Sequence, residues 1–340
     1  MAMKLEDISV DGYERVVRVI NESAKLDCII AVHSTRLGPS LGGCRFWNFT
    51  IHGEQLNDAL RLAEGMSYKN SLCGINYGGG KAVINAMNNE KTPQLYEAFG
   101  EAVEALGGMY ITAGDVGTLQ TDLEYVKQTT DFVGGTEIES SIPTAIGVFN
   151  AMKATRAYMY ADDMNFQGVH FCISGVGKVG STLARLLYQD GAEITCADVN
   201  NNALANLSAD LLFSEVEVNN AHTIKCDFFS PCALGNVLNA ETRSELQCSA
   251  IVGAANNQLD NEESDQWLFE NNIVYAPDYL VNSGGVIGIA AELEGTMDNI
   301  DEQLDEIANK TFEVIQNSID GNVPTDKISK EMAMERINKG

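Results

Sequence analysis

The chain has 340 residues and a formal net charge of −26, from 48 acidic and 22 basic residues. This length predicts two domains, because a single core rarely grows to such a size. So acidic a surface would repel a phosphate backbone, which argues against nucleic acid as a partner, and no apolar run is long enough to cross a bilayer. The N-terminus has no apolar segment with a small-residue cleavage site, so we expect a cytoplasmic protein.

Cysteines and histidines are scattered along the chain. The eight cysteines and four histidines form neither a Cys-x-x-Cys pair nor a histidine cluster. Several cysteines lie in apolar, strand-like runs, which is typical of small buried side chains in a reducing compartment rather than of disulfides. We therefore expect no metal site.

The first predicted element is a helix at residues 11–23, where four apolar positions lie among charges. Residues 26–33 are rich in Ile and Val and predict a buried strand. The pair Gly42 and Gly43 follows, close to the cation Arg45. From these residues alone, a hairpin is the simplest interpretation of the glycine pair.

Two lysines, Lys69 and Lys81, lie twelve positions apart, and three glycines directly precede the second. Residues 55–69 predict a helix that carries Lys69 near its end. The glycines at 78–80 predict a loop that would let the Lys81 amine approach a ligand. Burial and the ammonium of Lys69 would both lower the pKa of Lys81, so that it could act as a base. The alternative is a flexible loop with an ordinary solvated lysine.

A strand at 82–86 and a helix at 93–105 lead to Asp115, which follows a short strand between small residues. Such a carboxylate is a candidate for proton transfer or for holding an ammonium group. A turn or helix-capping aspartate is the alternative. Residues 134–143, rich in Gly, Ser and acids, predict the link to a second domain, which begins with a helix at 144–160.

A Gly-x-Gly-x-x-Gly fingerprint lies between a β-rich run and an apolar-periodic helix, the context that dinucleotide binding requires. The first glycine would make a tight turn, the second would let the backbone approach the pyrophosphate, and the third would let helix and strand pack closely. The next strand ends at Asp198, 23 positions after the first glycine, near the spacing of a ribose-binding carboxylate. No arginine follows Asp198, so we expect NAD rather than NADP. The fingerprint residues are Gly175, Val176, Gly177, Lys178, Val179 and Gly180.

Three later segments place small or amide residues after apolar runs, at 231–237, 251–258 and 274–286. The carboxyl ends of parallel strands line a cofactor crevice, so these amides could bond the nicotinamide and its ribose. Turn chemistry is the alternative. From residue 297 onward, the pattern predicts terminal helices.

Taken together, these motifs resemble the glutamate/leucine/phenylalanine/valine dehydrogenase family. The matching stretches are Leu-Gly-Gly-Cys-Arg at 41–45, Lys69, Gly-Gly-Gly-Lys at 78–81, Gly-Asp-Val-Gly-Thr at 114–118, the fingerprint and Asn-Ser-Gly-Gly at 282–285. The resemblance implies an α/β fold, with an N-terminal α/β substrate domain, a C-terminal NAD-binding Rossmann domain and a cleft between them. We place the substrate domain at 1–139, joined by a C-terminal helix at 318–340, and the Rossmann domain at 140–317.

The family's reaction is the reversible oxidative deamination of an L-amino acid to a 2-oxo acid and ammonia. The resemblance implies that Lys69 binds the substrate carboxylate, Lys81 activates the attacking water, and Asp115 moves protons to and from the amine. These roles suit the chemistry, because an iminium needs a deprotonated water and further proton transfers to release ammonia. Three more positions resemble cofactor- or substrate-contacting residues: Thr144, Asn257 and Asn282.

By resemblance, glutamate dehydrogenases carry a lysine at the position of Leu41, and that lysine binds the side-chain carboxylate of glutamate. A leucine side chain cannot bind a carboxylate. We expect leucine, isoleucine or valine as the substrate, against a pocket of Leu41, Gly42, Gly43, Ala113, Val286 and Ile289. Ala113 resembles leucine-type members more than phenylalanine-type members. Two features depart from the leucine type, because Gly114 stands where a glutamate is usual and Met87 and Asn88 replace an Asp-Pro pair.

Two alternatives remain at this point. The same reaction could act on phenylalanine or tryptophan, or the chain could be a non-catalytic nucleotide-binding sensor. A sensor needs no base, so the presence of both lysines and Asp115 favours an enzyme. We also expect a homo-oligomer, as is common for soluble enzymes.

Overall fold

The computed structural model describes residues 3–161 and 163–340, which form two compact units. Unit 1 comprises Met1–Ile138, Gly288–Met297 and Ala333–Gly340, and unit 2 comprises Glu139–Ile287 and Asp298–Met332. The C-terminal helix that we expected at 318–340 to join the substrate domain is divided between the two units, because its residues up to Met332 group with unit 2. Over the described ranges, every helix is too short or too polar to span a membrane.

Unit 1 is built on a mixed sheet with helices on both faces. Its strands are β1 (Lys4–Asp7), β2 (Arg15–Asn21), β3 (Leu26–Ser34), β4 (Ser40–Trp47), β5 (Gly78–Asn85) and β6 (Tyr110–Gly114), and its helices include α1 (Glu54–Leu72), α2 (Pro93–Glu104) and α3 (Gln120–Val126). The strand order is β1-β2-β3-β5-β4-β6. Strands β1, β2, β3 and β5 are antiparallel neighbours, whereas β4 runs parallel to both β5 and β6.

Small side chains let α1 lie close to its face of the sheet. Ala59 and Ala63 of α1 are fully buried against Ile29, Ala31 and Val83. The opposite face carries the larger apolar cluster, which includes residues of α2 and α3. The face under α1 is the one that carries the candidate site.

Three predictions for this region are wrong. Residues 15–21 form strand β2 rather than part of a helix, because their Val-rich run pairs antiparallel with β3, and β-branched residues favour that pairing. Gly42 and Gly43 lie inside strand β4 rather than in a hairpin. Residues 78–80 begin strand β5 and are buried, so they are not a flexible loop.

Unit 2 contains a parallel sheet within an α/β chain. The remaining elements are α4 (Ser141–Met159), β7 (His170–Ser174), α5 (Lys178–Gln189), β8 (Glu193–Ala197), α6 (Asn201–Ser208), β9 (Ser214–Glu215), β10 (Cys226–Pro231), β11 (Cys248–Ile251), α7 (Glu262–Glu270), β12 (Val274–Tyr275), α8 (Asp278–Val281), α9 (Gly284–Glu294), α10 (Ile300–Gly321) and α11 (Thr325–Lys339). The strand order is β12-β11-β10-β7-β8-β9, and every pair is parallel. This architecture confirms the predicted Rossmann-like α/β fold.

The order of this sheet reverses at β7, which has β8 on one side and β10 on the other. The core below it is aromatic, with the rings of Phe171 and Phe228 stacked at 4.8 Å between centroids and Phe166 against both. In open parallel sheets, ligands bind beyond the carboxyl ends of the strands at such a reversal. The fingerprint directly follows β7 and therefore lies at this point.

Candidate active site and dinucleotide cradle

Three predicted site residues lie on one face of neighbouring strands in unit 1. Leu41 of β4 pairs with Gly79 of β5 and with Ile111 of β6. Side chains two positions apart along a strand point to the same face, so Lys81 and Ala113 share the face of Leu41. This is the face that α1 covers. The sheet register thus brings an apolar wall and a lysine together.

The glycines before Lys81 allow close contact with α1. A Cβ placed on Gly79 would lie 2.1 Å from the backbone N of Ser67. Lys69 lies two positions after Ser67 in α1, just as Lys81 lies two positions after Gly79 in β5. Lys69 is half-buried in the last turn of the helix. Gly79 therefore lets α1 pack closely on the sheet.

Lys81 and Asp115 form a buried ion pair. The Lys81 Nζ lies 3.0 Å from Asp115 Oδ2, with 6% and 16% of the two side chains exposed. Burial acts to raise the pKa of Asp115, but the nearby charges of Lys81 and Arg45 outweigh it and lower the pKa below its ordinary value. Asp115 is therefore ionised at neutral pH. The alternative of a simple turn or capping aspartate does not account for these two cations.

Two further charged side chains lie behind Asp115, and no sequence motif indicated their role. Arg45 Nε lies 3.2 Å from Asp115 Oδ2, and Arg45 Nη1 lies 2.8 Å from Asp58 Oδ2. Asp58 also binds Arg61 at 2.9 Å through its other oxygen. Asp58 precedes Lys69 by eleven positions, about three helical turns, so both lie on one face of α1. That spacing was the available signal for Asp58.

Part of the predicted apolar wall is assembled in unit 1. A Cβ placed on Gly135 would lie 3.3 Å from Ile289 Cγ1 and 4.0 Å from Ala113 Cβ, so these side chains flank the same backbone. Ala113 is buried, and Leu41 is completely buried on the same face of the sheet. Val286 of α9 is also buried but is grouped with unit 2.

Arg336 of α11 contacts the segment at 70–76, and no sequence pattern indicated this contact. Its guanidinium donates hydrogen bonds of 3.0–3.4 Å to four carbonyls and one side-chain amide in the segment between the two lysines. The acceptors are the carbonyls of Asn70, Ser71, Gly74 and Ile75 and Oδ1 of Asn76. The C-terminal end of the chain therefore fixes the end of α1, where Lys69 lies.

In unit 2, the fingerprint glycines each meet a distinct steric demand. Gly175 has φ +104°, and a Cβ there would lie 2.7 Å from that of Ala233. A Cβ on Gly180 would lie 1.9 Å from the Gly175 carbonyl oxygen, so only glycine lets α5 approach β7. Gly177 caps α5 and faces open space, with no atom within 4 Å of an added Cβ among the described residues. An anion can approach a helix N-terminus there.

Asp198 lies at the end of β8, beside this turn. Its Oδ2 accepts the backbone N–H of Val176 at 2.7 Å, and its Oδ1 accepts that of Asn200 at 2.7 Å. These bonds fix the carboxylate and leave lone pairs for a diol. Lys178 is largely exposed and pairs with Glu139 at 3.0 Å.

The predicted amides lie along the same edge of the sheet. Asn282 Nδ2 donates to the Ala254 carbonyl at 3.1 Å and to Asn256 Oδ1 at 2.8 Å. Its own Oδ1 is buried and finds no hydrogen-bond partner within the described residues. Asn257 adopts φ +53°, and its N–H donates to Asp278 Oδ2 at 2.5 Å.

Thr144 joins this group from α4. Its hydroxyl donates to the Ser140 carbonyl at 2.7 Å, and a Cβ on Gly285 would lie 2.8 Å from the same hydroxyl. The glycine therefore lets the start of α9 pack on α4 near Asn282. The buried Oδ1 of Asn282 fits a carboxamide, the fixed carboxylate of Asp198 fits a ribose, and the open N-terminus of α5 fits a pyrophosphate. These groups are the parts of a nicotinamide dinucleotide.

Comparisons with known proteins point to one enzyme family. The family profile "Glu/Leu/Phe/Val dehydrogenase, dimerisation domain" matches residues 14–132, and "Glutamate/Leucine/Phenylalanine/Valine dehydrogenase" matches residues 197–339. The chain is 39% identical to the leucine dehydrogenase of Geobacillus stearothermophilus over 337 residues, covering 96% of this chain and 90% of the relative. It is 38% identical to the phenylalanine dehydrogenase of Thermoactinomyces intermedius over 338 residues, covering 96% and 92%.

A solved structure shows the same fold. The L-tryptophan dehydrogenase from Nostoc punctiforme superposes with a TM-score of 0.85 at 34% sequence identity, covering 96% of each chain. The chain therefore matches these amino acid dehydrogenases in sequence, and the tryptophan dehydrogenase in fold, over nearly its whole length. The chain belongs to the glutamate/leucine/phenylalanine/valine dehydrogenase family and is an NAD(P)-dependent amino acid dehydrogenase.

Proposed function

We propose that this enzyme catalyses the NAD-dependent, reversible oxidative deamination of an aliphatic L-amino acid, with leucine as the type substrate, to its 2-oxo acid and ammonia. The observation that carries the proposal is the buried Lys81–Asp115 pair beside an apolar wall. The pair supplies proton transfer, and the wall accepts a side chain without charge. Leucine dehydrogenases among the relatives support the same substrate class.

The lysines and Asp115 divide the chemistry. Lys69, at the C-terminal end of α1, binds the substrate carboxylate. The ionised Asp115 accepts a proton from the substrate ammonium, which leaves an amine able to release hydride from its Cα. The nicotinamide, when bound, supplies the hydride acceptor.

Water completes the reaction after hydride transfer. Lys81 first releases its own proton to the solvent, and its amine then takes a proton from the water that attacks the iminium carbon, which gives a carbinolamine. Asp115 returns its proton to the nitrogen and then takes the hydroxyl proton as the C–N bond breaks, which releases ammonia and leaves the 2-oxo acid. Because Lys81 and Asp115 are 3.0 Å apart, a proton can pass between them as these steps require.

Substrate choice follows from the residues around the Cα site. Leu41 offers no charge to a side-chain carboxylate, which disfavours glutamate. Ala113 and Ile289 flank the backbone of Gly135 and limit the space for a large ring. We assign Gly42 and Gly43 to the same wall, and Val286 and Asn282 remain predicted substrate contacts. Selection among leucine, isoleucine and valine would be weak, since one methylene is worth about 1–3 kcal/mol in such a pocket.

We infer NAD rather than NADP as the cofactor. Asp198 would bond the adenosine ribose, and its charge would repel a 2′-phosphate. The turn at 175–180 and the first residues of α5 would hold the pyrophosphate. Thr144, Asn257 and Asn282 would contact the nicotinamide end. In this account unit 2 is the dinucleotide-binding domain and unit 1 is the substrate domain.

We also infer a homo-oligomer, because the profile that matches residues 14–132 describes a dimerisation domain. A cytoplasmic location is supported by the eight cysteines, which are all free thiols.

The test of this proposal is a substrate and cofactor panel. NADH formation at alkaline pH is measured with L-Leu, L-Ile, L-Val, L-Phe, L-Trp and L-Glu, and the panel is repeated with NADP. We expect the highest kcat/KM for an aliphatic substrate with NAD. A preference for phenylalanine or tryptophan would overturn the substrate assignment, and equal use of NADP would overturn the role of Asp198.

A further inference from the structure

We infer that Arg45, held in place by Asp58, positions the Asp115 carboxylate for proton transfer. The inference rests on the proposed function, since it assigns a supporting role within the same site. Arg45 acts through Asp115, so it is a positioning residue rather than a catalytic one.

Arg45 bridges two carboxylates from different elements. From β4, its Nε reaches Asp115 Oδ2 at 3.2 Å and its Nη1 reaches Asp58 Oδ2 of α1 at 2.8 Å. The guanidinium is planar, so these two contacts together fix its orientation. The Arg45 and Asp58 side chains are only 17% and 14% exposed, and burial strengthens both contacts relative to a surface pair.

The cations converge on one oxygen of Asp115. Lys81 Nζ and Arg45 Nε lie 3.0 and 3.2 Å from Oδ2. Oδ1 is therefore the oxygen that neither cation engages, and it is the one available to exchange a proton with the substrate amine. Without Arg45, Lys81 and the backbone N–H of Val116 would have to hold the carboxylate against rotation about its χ2 bond.

Asp58 offsets part of the positive charge of this group. Lys81, Arg45 and Arg61 contribute three positive charges, and Asp115 and Asp58 contribute two negative charges. The other titratable group that acts on Asp115 from β4 is the Cys44 thiol, whose pKa burial raises, so it stays neutral. Arg45 thus links Asp58 of α1 to the proton-transferring carboxylate.

These relationships predict distinct effects for different variants. Arg45→Gln removes one of the two cations that hold the Asp115 pKa down, so the acid limb of kcat/KM should move to higher pH. Misplacing the carboxylate should also lower kcat/KM by roughly 10- to 100-fold. Arg45→Lys keeps the positive charge but loses the two-pronged guanidinium. We therefore expect a lower kcat/KM with a smaller shift of its acid limb than in Arg45→Gln. Asp58→Asn should lower kcat/KM without moving its acid limb to higher pH.

The experiment measures the pH profile of kcat/KM with L-leucine and NAD for wild type and each variant, with NADH binding and thermal unfolding as checks of folding. Arg18→Gln is the matched control, because Arg18 lies in the same sheet but binds Asp27 instead of Asp115. Its Nε and Nη2 donate to the two carboxylate oxygens of Asp27 at 3.2 and 2.9 Å. This control should keep the wild-type profile.

A purely structural role predicts a different result. If Arg45→Gln lowers the unfolding temperature but keeps the wild-type acid limb and rate, the inference is overturned while the proposed function stands. If Arg45→Gln fails to fold, wild-type rates in both Arg45→Lys and Asp58→Asn would overturn it. A folded wild type without activity on any amino acid would overturn the proposed function and this inference together.

Discussion

Lys81 and Asp115 meet across an intervening strand: their side chains lie 3.0 Å apart although β4 separates β5 from β6. Gly43 is the residue of β4 that lies between them. A Cβ at Gly43 would lie 2.4 Å from the Gly114 carbonyl oxygen and 2.9 Å from Asp115 Cβ. The ion pair therefore depends on the missing side chain of Gly43.

Gly43→Ala should break this arrangement. The added methyl group must displace Asp115, so we expect kcat/KM to fall by about 100-fold while NADH still binds. Gly65→Ala is the matched control, because Gly65 lies in α1 with no atom within 4 Å of its added Cβ among the described residues. That control should keep its activity and gain up to about 1 kcal/mol in the free energy of unfolding. Wild-type turnover in Gly43→Ala would contradict this account.

Ile289→Ala should enlarge the apolar wall beside Gly135. We expect the ratio of kcat/KM for phenylalanine to that for leucine to rise by on the order of 10-fold, because several methylenes are removed. Leu293→Ala is the control, since Leu293 lies one turn later in α9 and approaches Gly134 but is not among the atoms nearest an added Cβ on Gly135. An unchanged ratio in Ile289→Ala, measured by steady-state kinetics, would remove Ile289 from the pocket.

Arg336→Ala should loosen the end of α1. Four backbone carbonyls lose a charged donor, so the free energy of unfolding should fall by about 1–3 kcal/mol. Because Lys69 lies in that helical turn, KM for the amino acid should rise. Lys339→Ala removes an exposed pair with Glu335 and should leave the free energy of unfolding almost unchanged, because surface pairs contribute little. Chemical denaturation and kinetics of both variants provide the comparison.

Asp265 makes stability depend on pH. Burial, with the carboxylate of Asp326 adding to it, raises the pKa of Asp265 from 3.8 to about 7. The folded state therefore binds more protons than the unfolded state between these values, and the free energy of unfolding falls as pH rises through that window. Asp265→Asn should lessen this loss, by on the order of 1–4 kcal/mol.

The measurement is the unfolding temperature of each protein at about pH 5 and about pH 8. An asparagine Oδ1 can still accept the backbone N–H of Lys327, which Asp265 accepts at 3.3 Å. Glu263→Gln, on the exposed side of the same helix, should behave as the wild type does. If Asp265→Asn loses as much stability as the wild type on raising the pH, Asp265 does not titrate in this window.

Local patterns predicted much of the fold. The fingerprint, the helix that carries Lys69, the strand that ends before Asp115 and the terminal helices all appear where spacing alone placed them. Each depends on residues that are neighbours in sequence, so a periodic pattern is sufficient. Family membership and the enzyme class also followed from such motifs.

The errors arose where distant residues decide the structure. The apolar spacing at 15–21 suits either a helix or a strand, and pairing with β3 selects the strand. Glycines at 78–80 look like a loop locally, but packing against α1 and neighbouring strands makes them strand residues. Arg336 is 260 positions or more from the groups it binds, so no local signal could reveal it.

The most direct test of the central claim is the product balance of Lys81→Ala with L-leucine and NAD. We expect the wild type to form NADH and ammonia in equal amounts, whereas Lys81→Ala forms neither at a measurable rate yet binds NADH as the wild type does. Turnover of Lys81→Ala at the wild-type rate would contradict the assignment of Lys81 as the residue that activates water.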